Sequence, residues 1–510
     1  DIPEMKIRKN ALTAVIALLV ITIIAAGFRF GMGMAVHSDD VCLLFTGKDW
    51  VNGNFFLKDW WFSTGTFGLP MLEQLLVTRL FGYHDSIILL LAAFNYAAMI
   101  CSLLFVVYKY GRFRQVENLK IFLLLTVFVS LVPRHSMLLN AGTQNLAYIA
   151  SMGTLCYCWV KREKETYCLA VIVGICMGVV AATNNMFLYT ACAPVFLIGI
   201  LDFWRENFKE KGRWLLATGG MSLVAYVFFL KVWECGRGAK VGGLSTVFTE
   251  SEKIGDNLVN GFCNVLRLYG VDFWGKSVFS REVVCAVFGI IVFIKLTVEL
   301  WRFEKSDKEK CLVELFLAMA LINFGAYTFS TVIETSPDLH LLQPFLLGYT
   351  AAGMLAWMDN RKWFEKKSMI VLIAAFCTLI LMFPDFTLKQ PDNSGRIEAA
   401  EWLVENGYEN GFATFWSAAS VMYESNGELT ISPVSCYAVN DEKICLHAQE
   451  WMNKSTWAKQ AGNFLITDDT SEKKAGMTEE GILNTFGSWT DKQVFENIVV
   501  YTWDKEQVLE

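Results

Sequence analysis

The chain has 510 residues, of which 54% are hydrophobic and 18% charged, where soluble proteins carry about 25% charged residues. Apolar runs of membrane-spanning length recur, which excludes an ordinary soluble enzyme and indicates a polytopic α-helical membrane protein. The net charge of −6 says little, because the charges are segregated along the chain, and no nucleic acid is expected among its partners.

Lys6, Arg8 and Lys9 precede an apolar run from Ala11 to Gly27. No small-residue cleavage site follows, so this reads as a retained first span. Further spans are expected at about 86–108, 120–133, 145–160, 167–183, 187–204, 213–232, 282–301, 311–333, 341–358 and 369–384, after a first at about 11–30. The basic clusters KIRK, KYGRFRQVENLK, KREKE, RENFKEKGR, RFEKSDKEK and NRKWFEKK fall in every second loop. By the positive-inside rule the N-terminus is cytoplasmic, and about eleven spans place the C-terminus outside.

Three long segments then lie outside. Residues 32–85 carry the aromatic stretch KDWVNGNFFLKDWWF, which suits helices lying at the membrane interface. Residues 233–281 include the Gly-rich run ECGRGAKVGG, which lacks the ending of a phosphate-binding P-loop. The third segment follows Pro384. RIEAAEWLVENG and SAASVMYESNG there read as helices, and GFATFW, ELTISPV, NFLITDD and ENIVVYTW as strands. This alternation predicts an extracytoplasmic α/β domain over 385–510, after a membrane domain over 1–384. Most of the 14 cysteines sit in apolar runs as small hydrophobes, while Cys436 and Cys445 in the tail are candidates for a disulfide.

The chemistry concentrates where the first span ends. AVHSDDVCLLF places Ser38, a helix-capping residue type, before the adjacent acids Asp39 and Asp40. Acids in a first turn are favoured by the helix dipole, which accounts for them structurally. The same setting keeps a carboxylate ionised, as a general base requires. Adjacent helical residues point about 100° apart, so one acid aims at a reacting hydroxyl and the other orients it, binds a cation or faces water.

An apolar first span, followed by an outside loop that opens on an acidic pair and continues with aromatic, amphipathic helices, resembles the GT-C membrane glycosyltransferases. Protein O-mannosyltransferases and lipid A aminoarabinose transferases belong to that group. The resemblance implies a catalytic acid near the start of the first loop, mapping onto Asp39, with Asp40 where a Glu often follows. It also implies a polyprenyl-phosphate sugar donor and an acceptor that is a surface glycan, a lipid or a protein. No cofactor is required, a divalent cation is admitted, and no metal ligand is assigned.

A phosphate leaving group calls for positive charge. Arg134 and His135 in VPRHSMLLN lie on the outside face, as do Lys231, Arg237, Lys240 and Arg267, and His340 opens a span in SPDLHLLQPF. Snorkelling to lipid headgroups is the plain alternative for Arg134 and Lys231. Glu73, Gln74, Asn184 and Asn185 are candidates for contacts to sugar or acceptor. A transporter or flippase of lipid-linked glycans is the main rival reading, and it predicts functional charges within the spans. A non-catalytic scaffold is the other, and it leaves the acidic pair without a role.

Overall fold

The computed structural model describes residues 21, 25, 36, 38–62, 67–110, 144–162, 166–205, 210–236, 238–241, 247–303, 307–335, 339–357, 394–438, 443–449, 452–458, 460–468 and 471–509. The expected spans at 120–133 and 369–384, most of the first span, and Arg134, His135 and Arg237 lie outside the described residues.

The apolar runs form helices α3 (Asp85–Tyr110), α4 (Asn145–Lys161), α5 (Tyr167–Thr183), α6 (Asn185–Arg205), α7 (Glu210–Cys235), α9 (Arg281–Trp301), α10 (Asp307–Thr328) and α11 (Gln343–Trp357). Among the described residues, α3, α6, α7, α9 and α10 contain the five stretches long and apolar enough to cross a membrane. Where lipid replaces water, helices associate through close packing of small residues. A Cβ on Gly178 of α5 would lie 2.5 Å from the Ala225 Cβ of α7, and one on Gly174 would lie 2.6 Å from the Thr218 carbonyl oxygen. Glycine is therefore what lets these two backbones touch. The expected span over 311–333 stops at Thr328, because the chain then turns to pair with the second loop through Thr331 N–H to Val247 O at 3.0 Å.

The first loop departs from the expected interfacial helices. It holds helix α1 (Ser38–Val51), strand β1 (Trp60–Phe62) and helix α2 (Leu69–Phe81). The stretch KDWVNGNFFLKDWWF thus starts as a helix end, runs through turns over 52–59 and finishes as a strand. Gly53, at φ 103°, turns the chain after α1. Trp60 and Phe62 are then buried on one side of β1 with Trp61 half-exposed between them, a period of two that only a strand provides. Nor does α1 lie with one face in lipid. Ser38 and the run from Asp40 to Gly47 are all buried, held between α2 on one side and the tail on the other. Full burial of side chains such as Leu43 and Leu44 stabilises this arrangement by about 1.5–3 kcal/mol each. The amphipathic character belongs to α2, whose Leu69, Leu72, Leu76 and Leu80 are exposed in a stripe while Gln74 and Thr78 are buried.

The tail is a six-stranded sheet in the order β5-β4-β3-β7-β9-β8. Its strands are β3 (Asn410–Thr414), β4 (Thr430–Tyr437), β5 (Cys445–Ala448), β7 (Gly462–Asp468), β8 (Asp491–Phe495) and β9 (Ile498–Gln507). β3 runs parallel to β4 and β7, and β5, β8 and β9 pair antiparallel. Helix α12 (Ser394–Glu405) precedes β3 and α13 (Phe415–Glu424) follows it. GFATFW therefore splits at Thr414, and its last two aromatics begin α13.

Cys436 pairs with Leu446 and Tyr437 with Cys445. The two cysteines thus stand one register step apart, on opposite faces of the β4–β5 ladder, and both are free thiols. The expected disulfide is overturned by that register.

A second, three-stranded sheet joins the loops to the tail in the order β2-β1-β6. β2 (Lys240–Val241) comes from the loop after α7, β1 from the first loop, and β6 (Asn453–Lys454) from the tail. One hydrophobic core accordingly runs from Val41, Leu44 and Trp60 of the first loop to Phe415, Val421 and Phe464 of the tail.

Candidate active site in the first loop

Ser38, Asp39 and Asp40 make the first turn of α1. The unsatisfied N–H groups and dipole of that turn favour each carboxylate by about 0.3–1 kcal/mol. Asp40 is 3% exposed, whereas Asp39 is half-buried, and only the latter has surface for an incoming hydroxyl. The Ser38 hydroxyl faces the tail and accepts the Ala419 N–H of α13 at 3.0 Å.

Helix α2 braces this turn from the other side. Gln74 Nε2 donates to the Asp40 carbonyl at 2.7 Å, and Gln74 Oε1 is buried without a hydrogen-bond partner. Such an atom is costly to leave unmet, and in a native protein it ordinarily meets a water or another polar group. Glu73, the next residue back, takes a hydrogen bond from Asn95 Nδ2 of α3 at 2.8 Å. Burial pushes the Glu73 carboxyl above its ordinary value, and the Asn95 bond offsets part of that rise.

The start of α2 rests on the end of α5. Gly68 has φ 93°, and a Cβ there would lie 2.7 Å from Thr183 Oγ1. The next residues in the chain after Thr183 are Asn184 and Asn185. Asn184 Oδ1 caps α6 by accepting the Met186 N–H at 3.0 Å, and its Nδ2 donates to Gln144 Oε1 at 2.7 Å. Asn185 Oδ1 accepts the Tyr226 hydroxyl at 3.4 Å. A π-helical turn at Leu188–Cys192 follows, a local widening that places an extra residue in α6. Helix α2 thus meets the acidic turn through Gln74, and its start meets the end of α5, beside Asn184, through Gly68, so that these residues form a rim along α2.

Three of the described basic candidates are engaged locally. Lys231 pairs with Glu234 at 2.6 Å in an exposed bridge, which contributes little to stability. Arg267, in helix α8 (Ile254–Leu268), donates to Asn264 Oδ1 at 3.3 Å and faces Asp272 at 3.8 Å. The Lys240 ammonium sits over the Trp61 ring at 4.0 Å from its centroid. His340 lies in the short turn Leu339–Leu342 that leads into α11. Among the described residues no group of three or more His, Cys, Asp or Glu is placed to hold a metal ion.

Asn95, Gln144 and Tyr226 join the rim without having been singled out in the sequence. Asn95 had a readable signal, as a lone amide within IILLLAAFNYAAMI. A second group had none. Arg396 of α12 donates through Nη1 to the Val36 carbonyl, and through Nη2 to Asp85 at 3.2 Å and to Glu424 at 2.8 Å. Asp49 of α1 is fixed in a similar way, by Asn54 Nδ2 at 2.7 Å, Trp60 Nε1 at 2.8 Å and the Lys454 ammonium of β6 at 3.0 Å. Burial raises the Asp49 carboxyl, but these donors outweigh it and hold it below its usual value.

No protein-family model matches the chain, and no curated protein matches its sequence. Its three-dimensional form does have a counterpart. The crystal structure of ArnT from Cupriavidus metallidurans bound to undecaprenyl phosphate aligns with a TM-score of 0.51 at 10% identity, over 96% of this chain and 98% of that one. The chain has the GT-C fold of membrane glycosyltransferases, with the tail sheet included in the likeness.

Proposed function

We propose that this protein is an inverting glycosyltransferase of the membrane's outer face. It moves one sugar from a polyprenyl-phosphate donor to the hydroxyl of a glycan, lipid or protein acceptor. The observation that carries this reading is the first turn of α1, an acidic pair at a helix N-terminus, braced by Gln74 and roofed by the tail. The GT-C fold supports it.

In this reading Asp39 is the general base, since it is the acid with accessible surface. It takes the acceptor's proton as the acceptor oxygen attacks the anomeric carbon and the bond to the donor phosphate breaks, inverting that carbon. The leaving phosphate needs no proton, so one carboxylate suffices. Asp40, buried against Gln74, orients the turn. Glu73, Gln74, Asn184 and Asn185 supply hydrogen-bonding groups for sugar and acceptor hydroxyls. Arg134 and His135, with help from Lys231, Arg237, Arg267 or His340, hold the donor phosphate.

The test is transfer of labelled sugar by purified protein in proteoliposomes, using a panel of polyprenyl-phosphate sugars and membrane-derived acceptors. Asp39→Asn is expected to lose about 10²–10⁴ in kcat while remaining folded. Equal behaviour of wild type, Asp39→Asn and Asp40→Asn sinks the assignment. Movement of intact lipid-linked sugar across the bilayer, without cleavage, supports a flippase in its place.

A further inference from the structure

The segment that leads into the acidic pair is not held by the membrane helices alone. Val36 is fully buried, and its carbonyl accepts Arg396 Nη1 from the tail. Two residues on, the Ser38 hydroxyl accepts the Ala419 N–H, also from the tail. The same guanidinium reaches Asp85 at the first residue of α3 and Glu424 at the last residue of α13. Its side chain is 11% exposed. One group therefore touches the entry to α1, the start of a spanning helix and the docking helix of the tail. A planar guanidinium is suited to this, with five donors in a fixed fork.

We propose that Arg396 is a positioning residue for sugar transfer: the docked tail uses it to set the entry angle of α1, and so to aim Asp39. This rests on the reading of Asp39 as the base. Arg396 does not touch the reacting atoms in this scheme. It acts through the Val36 carbonyl, three residues ahead of Asp39. Since the aim of a base is a matter of fractions of an ångström, a small slackening of that entry lowers turnover without removing any substrate contact.

The experiment compares full-length wild type, Arg396→Met and Arg396→Lys in lipid nanodiscs by two readouts. The first is amide hydrogen exchange over residues 36–47. Arg396→Met is expected to raise exchange there while the far strands β8 and β9 keep their protection. The second is transfer kinetics, where kcat is expected to fall about 10²-fold while the donor KM moves little. Arg396→Lys keeps the charge but not the fork, and is expected to fall between the two. Unchanged exchange in Arg396→Met overturns the hold on α1. Raised exchange with unchanged kcat overturns the positioning role. Where Arg396→Met fails to fold, Arg396→Lys decides by the same criteria. A wild type that transfers no sugar overturns the transferase reading and the positioning role with it, whereas the exchange readout still decides whether Arg396 holds the entry to α1.

Discussion

The phenol of Tyr423 satisfies both backbone groups of His84, accepting its N–H at 2.9 Å and donating to its carbonyl at 3.1 Å. A tail residue thereby completes the turn between α2 and α3, one residue along the chain on each side from the Asp85 and Glu424 that Arg396 holds. Tyr423→Phe removes both bonds at a part-buried site, where the His84 carbonyl keeps the Ile87 N–H at 2.8 Å. The expected cost is about 0.5–1.5 kcal/mol, seen as a lower Tm in detergent beside wild type. An unchanged Tm would show that water takes over both bonds.

Asp85 and Glu424 face each other across one guanidinium. With both ionised the buried group carries a net negative charge, which favours protonation of Glu424. Burial and then the Asp85 charge push the Glu424 carboxyl up to about 7, and Arg396 opposes the rise. A carboxyl whose folded value lies above its unfolded one stabilises the fold fully at low pH and loses that contribution as pH rises through the folded value. Tail docking is therefore expected to weaken between about pH 5 and pH 8. Thermal melts of wild type and Glu424→Gln across that window provide the check, since the variant should lack this part of the slope.

Gly68 is the pivot of α2. At φ 93° a side chain is strained, and its Cβ would collide with Thr183. Gly68→Ala is expected to destabilise by about 1–3 kcal/mol and to displace Glu73 and Gln74 from the rim. Combining it with Thr183→Ser removes a methyl group without removing the close oxygen. The double variant should thus recover little, and full recovery would locate the strain elsewhere.

Asp49 offers a contrast of sign. Its carboxyl is held low by Asn54, Trp60 and Lys454, after burial is overcome. That contribution is present at neutral pH and lost as the solution is acidified through the carboxylate range. Lys454→Met should remove part of it and weaken the β1–β6 pairing. The expected signature is a stability deficit at neutral pH that shrinks on acidification, and a deficit independent of pH would argue against the ion pair.

Much of this was legible in the sequence where the physics is local. Tyr167–Thr183 forms a helix over the very residues its apolar run defines, and Gly407, at φ 77°, follows the helix read into RIEAAEWLVENG. Lys295 and Glu299 pair one turn apart as their spacing implies. The acidic pair announced itself by place and type. What failed was whatever depends on partners far along the chain. WWF looked like part of an interfacial helix because its partners, Lys240 and Asn453, lie in other segments. Nothing near Arg396 in the sequence sets it apart, because its contacts lie 311 and 360 residues away. The disulfide expectation failed on a single step of register, which neither composition nor spacing reveals.

The small sheet β2-β1-β6 has a consequence for how the molecule is made. Its middle strand, Trp60–Phe62, and its last strand, Asn453–Lys454, are separated in the chain by all of the spanning helices from α3 to α11. Pairings this distant in sequence form late in folding. The acidic turn is therefore synthesised well before the tail that braces it. Under the transferase reading, a polypeptide cut short before the tail carries the proposed base and yet lacks the roof that aims it.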